Sequence, residues 1–401
     1  MSEARVYFYC CAEPGNLQED VISLAEGLRD LGVEYYSNCD YWLQSPRPND
    51  YLFEHVPDVT PQDCDVVVIS YTWPQWVSMN GFKLRRQALP PDLFRKNRNY
   101  ITVYMDNNDG YRTISWEPEY RHFDLILRSK FNLRTWHPDN MRPWAYGLTN
   151  RILEATEGGL PFQRRRRAVM VNFNASHPFA YGARRLWSTR LERKVSRVLS
   201  IDRTTDDLST KPHDPYEALM WQQTGGRFSK NYYKRIKETQ AVACFCGDVI
   251  PAVPFRGAER YLVGGNRAKL HRALYWALSR SAAGVPRAVG CDSFRFWETM
   301  AAGAAAINLD LDLYGVKLPV MPQNGKHYLG VDFGKVDSFV EQLREDPMLF
   351  KRVGDAGREW VYRHYSPKAV AKRFLEMVHT PAQEPTLATS NSVSVGIDSS
   401  D

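Results

Sequence analysis

The chain lacks a dinucleotide fingerprint. No Gly-x-Gly-x-x-Gly follows its first apolar strand, so a nicotinamide or flavin site is not supported. It also lacks long hydrophobic runs: no window approaches 18 apolar residues, and no transmembrane helix is expected. The seven cysteines are too irregularly placed for a disulfide framework. Cys10 and Cys11 are adjacent in an apolar stretch, and Cys244-Phe-Cys246 is too tight for a Cys-x2-Cys zinc knuckle. Buried free thiols in a reducing compartment are the expectation. Met1-Ser-Glu-Ala-Arg5 runs directly into a strand with no leader-like segment, which points to a cytoplasmic location. Excess charge of one sign is small, net +6 over 401 residues. That balance favours anionic ligands or peripheral association with an acidic membrane surface, and it does not require nucleic acid.

What is present fits a soluble globular chain long enough for two cores, with 43% hydrophobic and 24% charged residues. Arg5 to Cys11 reads as a strand, Gln18 to Leu31 as an amphipathic helix stopped by Gly32, and Val33 to Ser37 as a second strand. Buried strands follow at Asp65–Tyr71, Tyr100–Met105 and Phe123–Arg128. Their continuous apolar runs predict a parallel sheet covered on both faces. Glu157-Gly-Gly-Leu-Pro161 marks a linker, and Arg164–Arg167 reads as a solvated cluster at the entry of the strand Ala168–Phe173. The second half alternates again, with a helix over Asn231–Thr239, a strand over Ala241–Gly247, and late helices over Asp337–Arg344, Pro347–His364 and Ala369–Val378.

The stretch Gly290 to Asp312, GCDSFRFWETMAAGAAAINLDLD, carries the most chemistry. It predicts a polar loop, a helix from about Phe294 to Ala302 stopped by Gly303, and a buried strand over Ala304–Leu309. Asp292 and Ser293 are both good N-caps. Arg295 and Glu298 share one helical face close to the helix start, a natural phosphate seat. Spacing alone admits two readings: a nucleotide diphosphate lying across the helix start, or a surface helix carrying an Arg–Glu pair.

Ser293-Phe-Arg-Phe-Trp-Glu298-Thr-Met-Ala-Ala-Gly303, followed by an apolar strand, resembles the donor-binding signature of GT-B glycosyltransferases. It is similar to the "glycosyl transferases group 1" type and, in its S-x-R-x-x-E form, to exostosin-like enzymes; the resemblance is strongest over roughly 225–378. It implies an α/β fold of two Rossmann-like domains facing a cleft. An acceptor domain would span 1–155 and a nucleotide-sugar donor domain 165–365; a helix over 366–380 would cross back to the first domain, and 381–401 would be a disordered tail. By the same resemblance Glu298 holds the ribose, while Asp292, Ser293, Phe294 and Arg295 approach the phosphates and donor sugar. Arg227 and Lys230, in Gly225-Gly-Arg-Phe-Ser-Lys230, neutralise the leaving diphosphate. Retaining members often carry a second Glu eight residues before the first; here that position is Gly290, which leaves the anomeric outcome open.

An inverting reaction needs a general base on the acceptor side. Asp106 and Asp109, in Met105-Asp-Asn-Asn-Asp-Gly110 at the end of a buried strand, are the candidates, although the same run is a good turn. Gly15, Asn16 and His177 lie in loops suited to acceptor or phosphate contacts, and Trp73, Trp76 and Trp116 could stack on a sugar. Asp310-Leu-Asp312 resembles a metal-binding D-x-D only superficially, being late in the chain, so no metal is expected. No cofactor is expected either, apart from the nucleotide-diphosphate sugar as co-substrate. The expected activity is sugar transfer to a glycan, lipid-linked or small-molecule acceptor, as in polysaccharide biosynthesis. A sugar-nucleotide epimerase of the same fold and a catalytically silent sugar-nucleotide binder are the alternatives.

Overall fold

The computed structural model describes residues 4–12, 17–73, 88–107, 118–173, 182–206, 208–251 and 286–379. Gly15, Asn16, Trp76, Asp109, Trp116, His177 and the tail 381–401 lie outside the described residues.

The first domain opens with β1 (Val6–Tyr9), α1 (Glu19–Asp30) and β2 (Tyr35–Ser37). An antiparallel hairpin of β3 (Tyr41–Leu43) and β4 (Tyr51–Phe53) follows. Then come β5 (Val66–Ser70), β6 (Ile101–Asp106), β7 (Leu125–Arg128) and β8 (Met141–Pro143). These strands, the hairpin aside, form one parallel sheet in the order β2-β1-β5-β6-β7-β8. Side chains alternate across it, so Val6 and Phe8 enter the core under α1 while Tyr7, Val67 and Ile69 enter the core on the other face. Both faces are covered, which is why the strands read as unbroken apolar runs.

The chain passes through α2 (Asn150–Thr156) into the second domain. There β9 (Arg166–Met170), α3 (Gly182–Leu186), α4 (Glu192–Val195), β10 (Ser200–Asp202), α5 (Pro215–Gln223), α6 (Lys230–Glu238) and β11 (Thr239–Ala243) succeed one another. An antiparallel pair, β12 (Asp248–Pro251) and β13 (Pro286–Val289), leads to α7 (Phe294–Ala301) and β14 (Ala305–Leu309). The chain closes with β15 (Leu329–Val331), α8 (Val336–Glu345), α9 (Leu349–Tyr365) and α10 (Pro367–His379). The second sheet is also parallel, ordered β10-β9-β11-β14-β15.

The last helix crosses back. Val370, Ala371, Phe374 and Val378 of α10 are buried in the first-domain core with Val21, Leu24 and Leu28 of α1. Gly27 sits at the crossing, where a Cβ would lie 1.9 Å from the Pro367 carbonyl oxygen. Gln223 of α5 adds a second tie, pairing its side-chain amide with the Leu43 backbone at 2.7 and 2.9 Å. The arginine run is exposed at Arg164, Arg166 and Arg167, as expected of a solvated cluster, and Arg165 is half-buried. Arg165 donates to the carbonyls of Gly303 (2.7 Å) and Ala302 (3.3 Å), closing the C-terminal end of α7, and Arg166 pairs with Asp202 at 2.8 Å.

Candidate functional site

Strand order reverses between β1 and β5 in the first sheet and between β9 and β11 in the second, which opens a crevice at each carboxyl edge. The two edges meet at the loop 290–293. From the first domain, the Tyr146 amide donates to Asp292 Oδ2 (3.2 Å), and Asn132 Nδ2 donates to the carbonyls of Ala288 and Tyr314 (2.9 Å each). Gly290 turns that loop with φ 68°, a left-handed conformation that disfavours any side chain, so the glutamate of the retaining pattern would be strained here. Ser293 takes the N-cap position of α7, but its side chain makes no cap bond. Asp292 is turned inward instead, accepting from the Trp297 indole at 2.6 Å.

On the second-domain side, Glu298 is 7% exposed and accepts from two phenols of α6: Tyr233 at 2.6 Å and Tyr232 at 2.9 Å. These occupy two of the roughly four acceptor positions of a carboxylate, leaving capacity for vicinal hydroxyls. Arg295 leaves the same helix toward the end of β9, donating to the Asn172 carbonyl at 2.6 Å with its guanidinium over Phe173. Arg184 lies over the same ring, so two arginines flank the β9 edge at the crevice. Phe294 packs 4.4 Å from the Tyr146 ring across the domain boundary. Arg227 lies in the loop before α6, as expected, and Lys230 is the first residue of that helix. Both are exposed, and Lys230 pairs with Glu217 of α5 at 3.0 Å. Arg184 went unnoticed in the sequence because only folding brings it beside Arg295.

On the first-domain side, Asp106 is 1% exposed and ion-paired with Arg128, itself 3% exposed. That geometry makes Asp106 a strut for Arg128 more than an open proton acceptor. Its neighbour Asn107 receives Lys130 Nζ at 3.0 and 3.1 Å, and Lys130 also donates to the Tyr146 hydroxyl at 3.1 Å. Two further acids act on this lysine. Burial lifts Asp20, in the first turn of α1, to about 7, against its backbone hydrogen bonds and Lys130. Burial likewise lifts Asp292 to about 7, against the Trp297 indole and Lys130. A carboxylate poised near neutrality suits proton transfer. Asp20 passes in the sequence for an ordinary first-turn acid; only its burial distinguishes it. Asp310 serves a turn, accepting from Leu313 N (3.1 Å) and Asn324 Nδ2 (3.0 Å).

Glu26 gives a pH prediction. Burial lifts it to about 8 although the Asn150 amide donates to it at 2.7 Å. An acid with a folded pKa above its unfolded value, about 4.3, binds protons on folding. Its contribution is therefore full near pH 4 and is lost as pH rises toward 8; Asp20 and Asp292 act in the same direction. The melting temperature is expected to fall between pH 5 and 8, and Glu26→Gln to flatten that slope. An unchanged slope in the variant would refute the assignment.

No family model and no curated protein matches the chain. Three solved structures are similar to it. An alpha-glucosyltransferase in complex with UDP-glucose and DNA containing an abasic site is 10% identical, with 94% of this chain and 100% of that chain covered and a TM-score of 0.51. A glycosyltransferase from Rickettsia africae is 10% identical over 94% of this chain and 98% of its own, with a TM-score of 0.47. HepE of Anabaena, in complex with UDP and glucose, is 11% identical over 94% and 99%, with a TM-score of 0.44. With two Rossmann-like parallel sheets meeting edge to edge and a last helix braced on the first domain, the chain has the GT-B fold.

Proposed function

We propose that the protein is a glycosyltransferase that moves a sugar from a nucleotide-diphosphate sugar to an acceptor hydroxyl. One observation carries this reading: Glu298, held by two tyrosines, shares a helix with Arg295, which joins Arg184 at the switch-point crevice of the second sheet. An acid and two guanidinium groups at that spot match the two ends of a nucleoside diphosphate, ribose hydroxyls and phosphate oxygens. The neighbouring fold described with UDP-glucose bound supports the same ligand class.

In this mechanism Glu298 accepts hydrogen bonds from the ribose. Arg295 and Arg184 take up the negative charge that grows on the diphosphate as its bond to the anomeric carbon breaks. The loop Asp292-Ser293-Phe294 borders the donor sugar. The acceptor oxygen bonds to the anomeric carbon, the bonding pair leaves with the diphosphate, and the hydroxyl proton passes to a first-domain carboxylate. Asp20 is our assignment for that base, and Asp109 is the second candidate. Arginines carry the diphosphate charge here, so a chelator should leave turnover unchanged. The acceptor is proposed to be a glycan, lipid-linked or small molecule met in the cytoplasm, as in polysaccharide assembly. Peripheral membrane association is part of this proposal; no described helix is long and apolar enough to cross a bilayer.

The test is thermal-shift titration with UDP, GDP, dTDP, CDP and ADP. One of these should add about 2.7 kcal/mol of stability at 100 times its Kd. Glu298→Gln and Arg295→Ala should each weaken that ligand at least about tenfold. Asp20→Asn should bind it normally while lowering turnover by about 100-fold or more. Absence of stabilisation by all five diphosphates would end the proposal.

A further inference from the structure

Two of the free cysteines meet at the loop 290–293. The antiparallel pair β12 and β13 sets Asp248 opposite Val289. Carried on toward the crevice, the same register sets Gly247 opposite Gly290 and Cys246 opposite Cys291. The two chains stay in contact past the ladder: a Cβ on Gly247 would lie 2.0 Å from the Val289 carbonyl oxygen and 2.7 Å from Gly290. Both glycines are left-handed, with φ 66° and 68°, so the chains bend together and both cysteines enter the second-domain core. Cys291 Sγ lies 3.4 Å from the Cys246 carbonyl oxygen, and its thiol is a hydrogen-bond partner of the Cys246 sulfur. Opposed residues of an antiparallel pair have Cα atoms about 4.5–5.5 Å apart, within the span a disulfide accepts. The bond from Cys291, with Arg184 nearby, holds the Cys246 thiol below the ordinary range although it is buried, whereas burial pushes Cys244 up to about 12. Neither member of the pair is sealed: Cys246 is 5% and Cys291 6% exposed, against 0% for Cys244. A thiol beside a guanidinium and open to a small reagent is the reactive kind.

We propose that Cys246 and Cys291 form a reversible oxidation site, which closes to a disulfide under hydrogen peroxide and lowers donor affinity. The Cys246 thiolate attacks one peroxide oxygen and the O–O bond breaks, giving a sulfenic acid and hydroxide, which recovers the Cys246 proton as water. The Cys291 sulfur then attacks the sulfenic sulfur. The S–S bond forms as the S–O bond breaks, and hydroxide leaves with the Cys291 proton as a second water. The two thiols are oxidised by two electrons and peroxide is reduced by them; a small dithiol reverses the step by exchange. The bond draws the sulfurs closer than any non-bonded contact, and each cysteine adjoins the donor site. The Phe245 carbonyl, one residue before Cys246, receives Arg184 Nε at 3.0 Å. Asp292, one residue after Cys291, is tied to Tyr146 and Trp297 at the start of α7. Closing the bond therefore shifts the backbone that sets Arg184 and the loop 290–293. The loss of donor affinity rests on the sugar-transfer reading; the oxidation does not.

The experiment treats the full chain with hydrogen peroxide, blocks remaining thiols and maps the peptides by mass spectrometry, with UDP titrated by calorimetry before and after. A peptide joining Cys246 to Cys291, lighter by two hydrogens, is expected, together with UDP affinity at least about tenfold weaker. Dithiothreitol should restore both. Cys291→Ser should bind UDP within about twofold of the wild type and lose the reversible response, its Cys246 passing on to irreversible acids. If that variant fails to fold, Cys246→Ser decides, with no nucleophile and no response. No bond between the two, or a bond among Cys10, Cys11 and Cys39 in its place, would overturn the proposal. So would a disulfide that leaves UDP affinity unchanged, or an equal reversible loss in Cys291→Ser. A reduced protein that does not bind UDP strikes the donor reading, while the peptide map still decides the oxidation site.

Discussion

Valine in place of Gly27 is expected to destabilise the protein by about 3 kcal/mol or more, seen as a lower urea midpoint. Helix propensity argues the other way, since alanine inside a helix is favoured over glycine by about 1 kcal/mol. The crossing of α1 and α10 decides the sign. A Cβ at Gly27 would lie 1.9 Å from the Pro367 oxygen and 2.8 Å from the Ala371 Cβ, and the first of these is backbone that no rotamer can relieve. The two helices must separate, exposing Phe374 and Val370, now 0% and 2% exposed. Gly27→Ala should show a smaller loss of the same sign. Gly32→Ala is the control: with φ +71° and nothing within 4 Å of its Cβ position, it tests backbone strain alone, at about 1 kcal/mol. A Gly27→Ala protein as stable as the wild type would mean that α10 does not clamp α1 as described.

Arg151→Met is expected to cost about 3–5 kcal/mol. Arg151 donates to Glu19 (2.7 Å) and to the Tyr233 hydroxyl (2.7 Å), and Tyr233 in turn donates to Glu298. Burial opposes its charge, yet Glu19, Tyr233 and Glu298 hold the guanidinium above its ordinary range. Removing it strands Glu19, which is 0% exposed, in a medium that cannot solvate a carboxylate. The pairing of Arg151→Met with Glu19→Leu should recover most of the loss, because an apolar pair of similar volume carries no unsolvated charge. Urea denaturation of the four proteins forms the cycle. The single variant should also weaken nucleotide binding, since Tyr233 loses the partner that orients it toward Glu298. Additive effects of the two substitutions would show that the pair is not coupled. Normal nucleotide affinity in Arg151→Met would separate the network from the donor site.

Much of the fold was legible because its signals are local. The runs around Val66–Ser70 and Ala305–Leu309 are too apolar to lie anywhere but in a covered sheet, and the helix 294–301 falls within a residue of its expected span. Short edge strands such as β8 and β15 were not legible; three residues carry no period. The site was legible in part. Glu298 and Arg295 announce themselves by motif and spacing, whereas Arg184, Lys130 and Arg287 look like ordinary surface cations in the sequence.

Sequence alone determined the α/β alternation, the place of α7 before its strand, and the glycine at 290 that removes the second acid of the retaining pattern. Each follows from the chemistry of residues within a turn or two of one another. Tertiary structure alone decided which charges are buried and whom they meet. Arg151 finds Glu19 132 positions away, and Arg287 finds Thr135 152 positions away. Burial is what lifts Asp20 toward neutrality, and burial is a property of packed layers that no local stretch of chain contains.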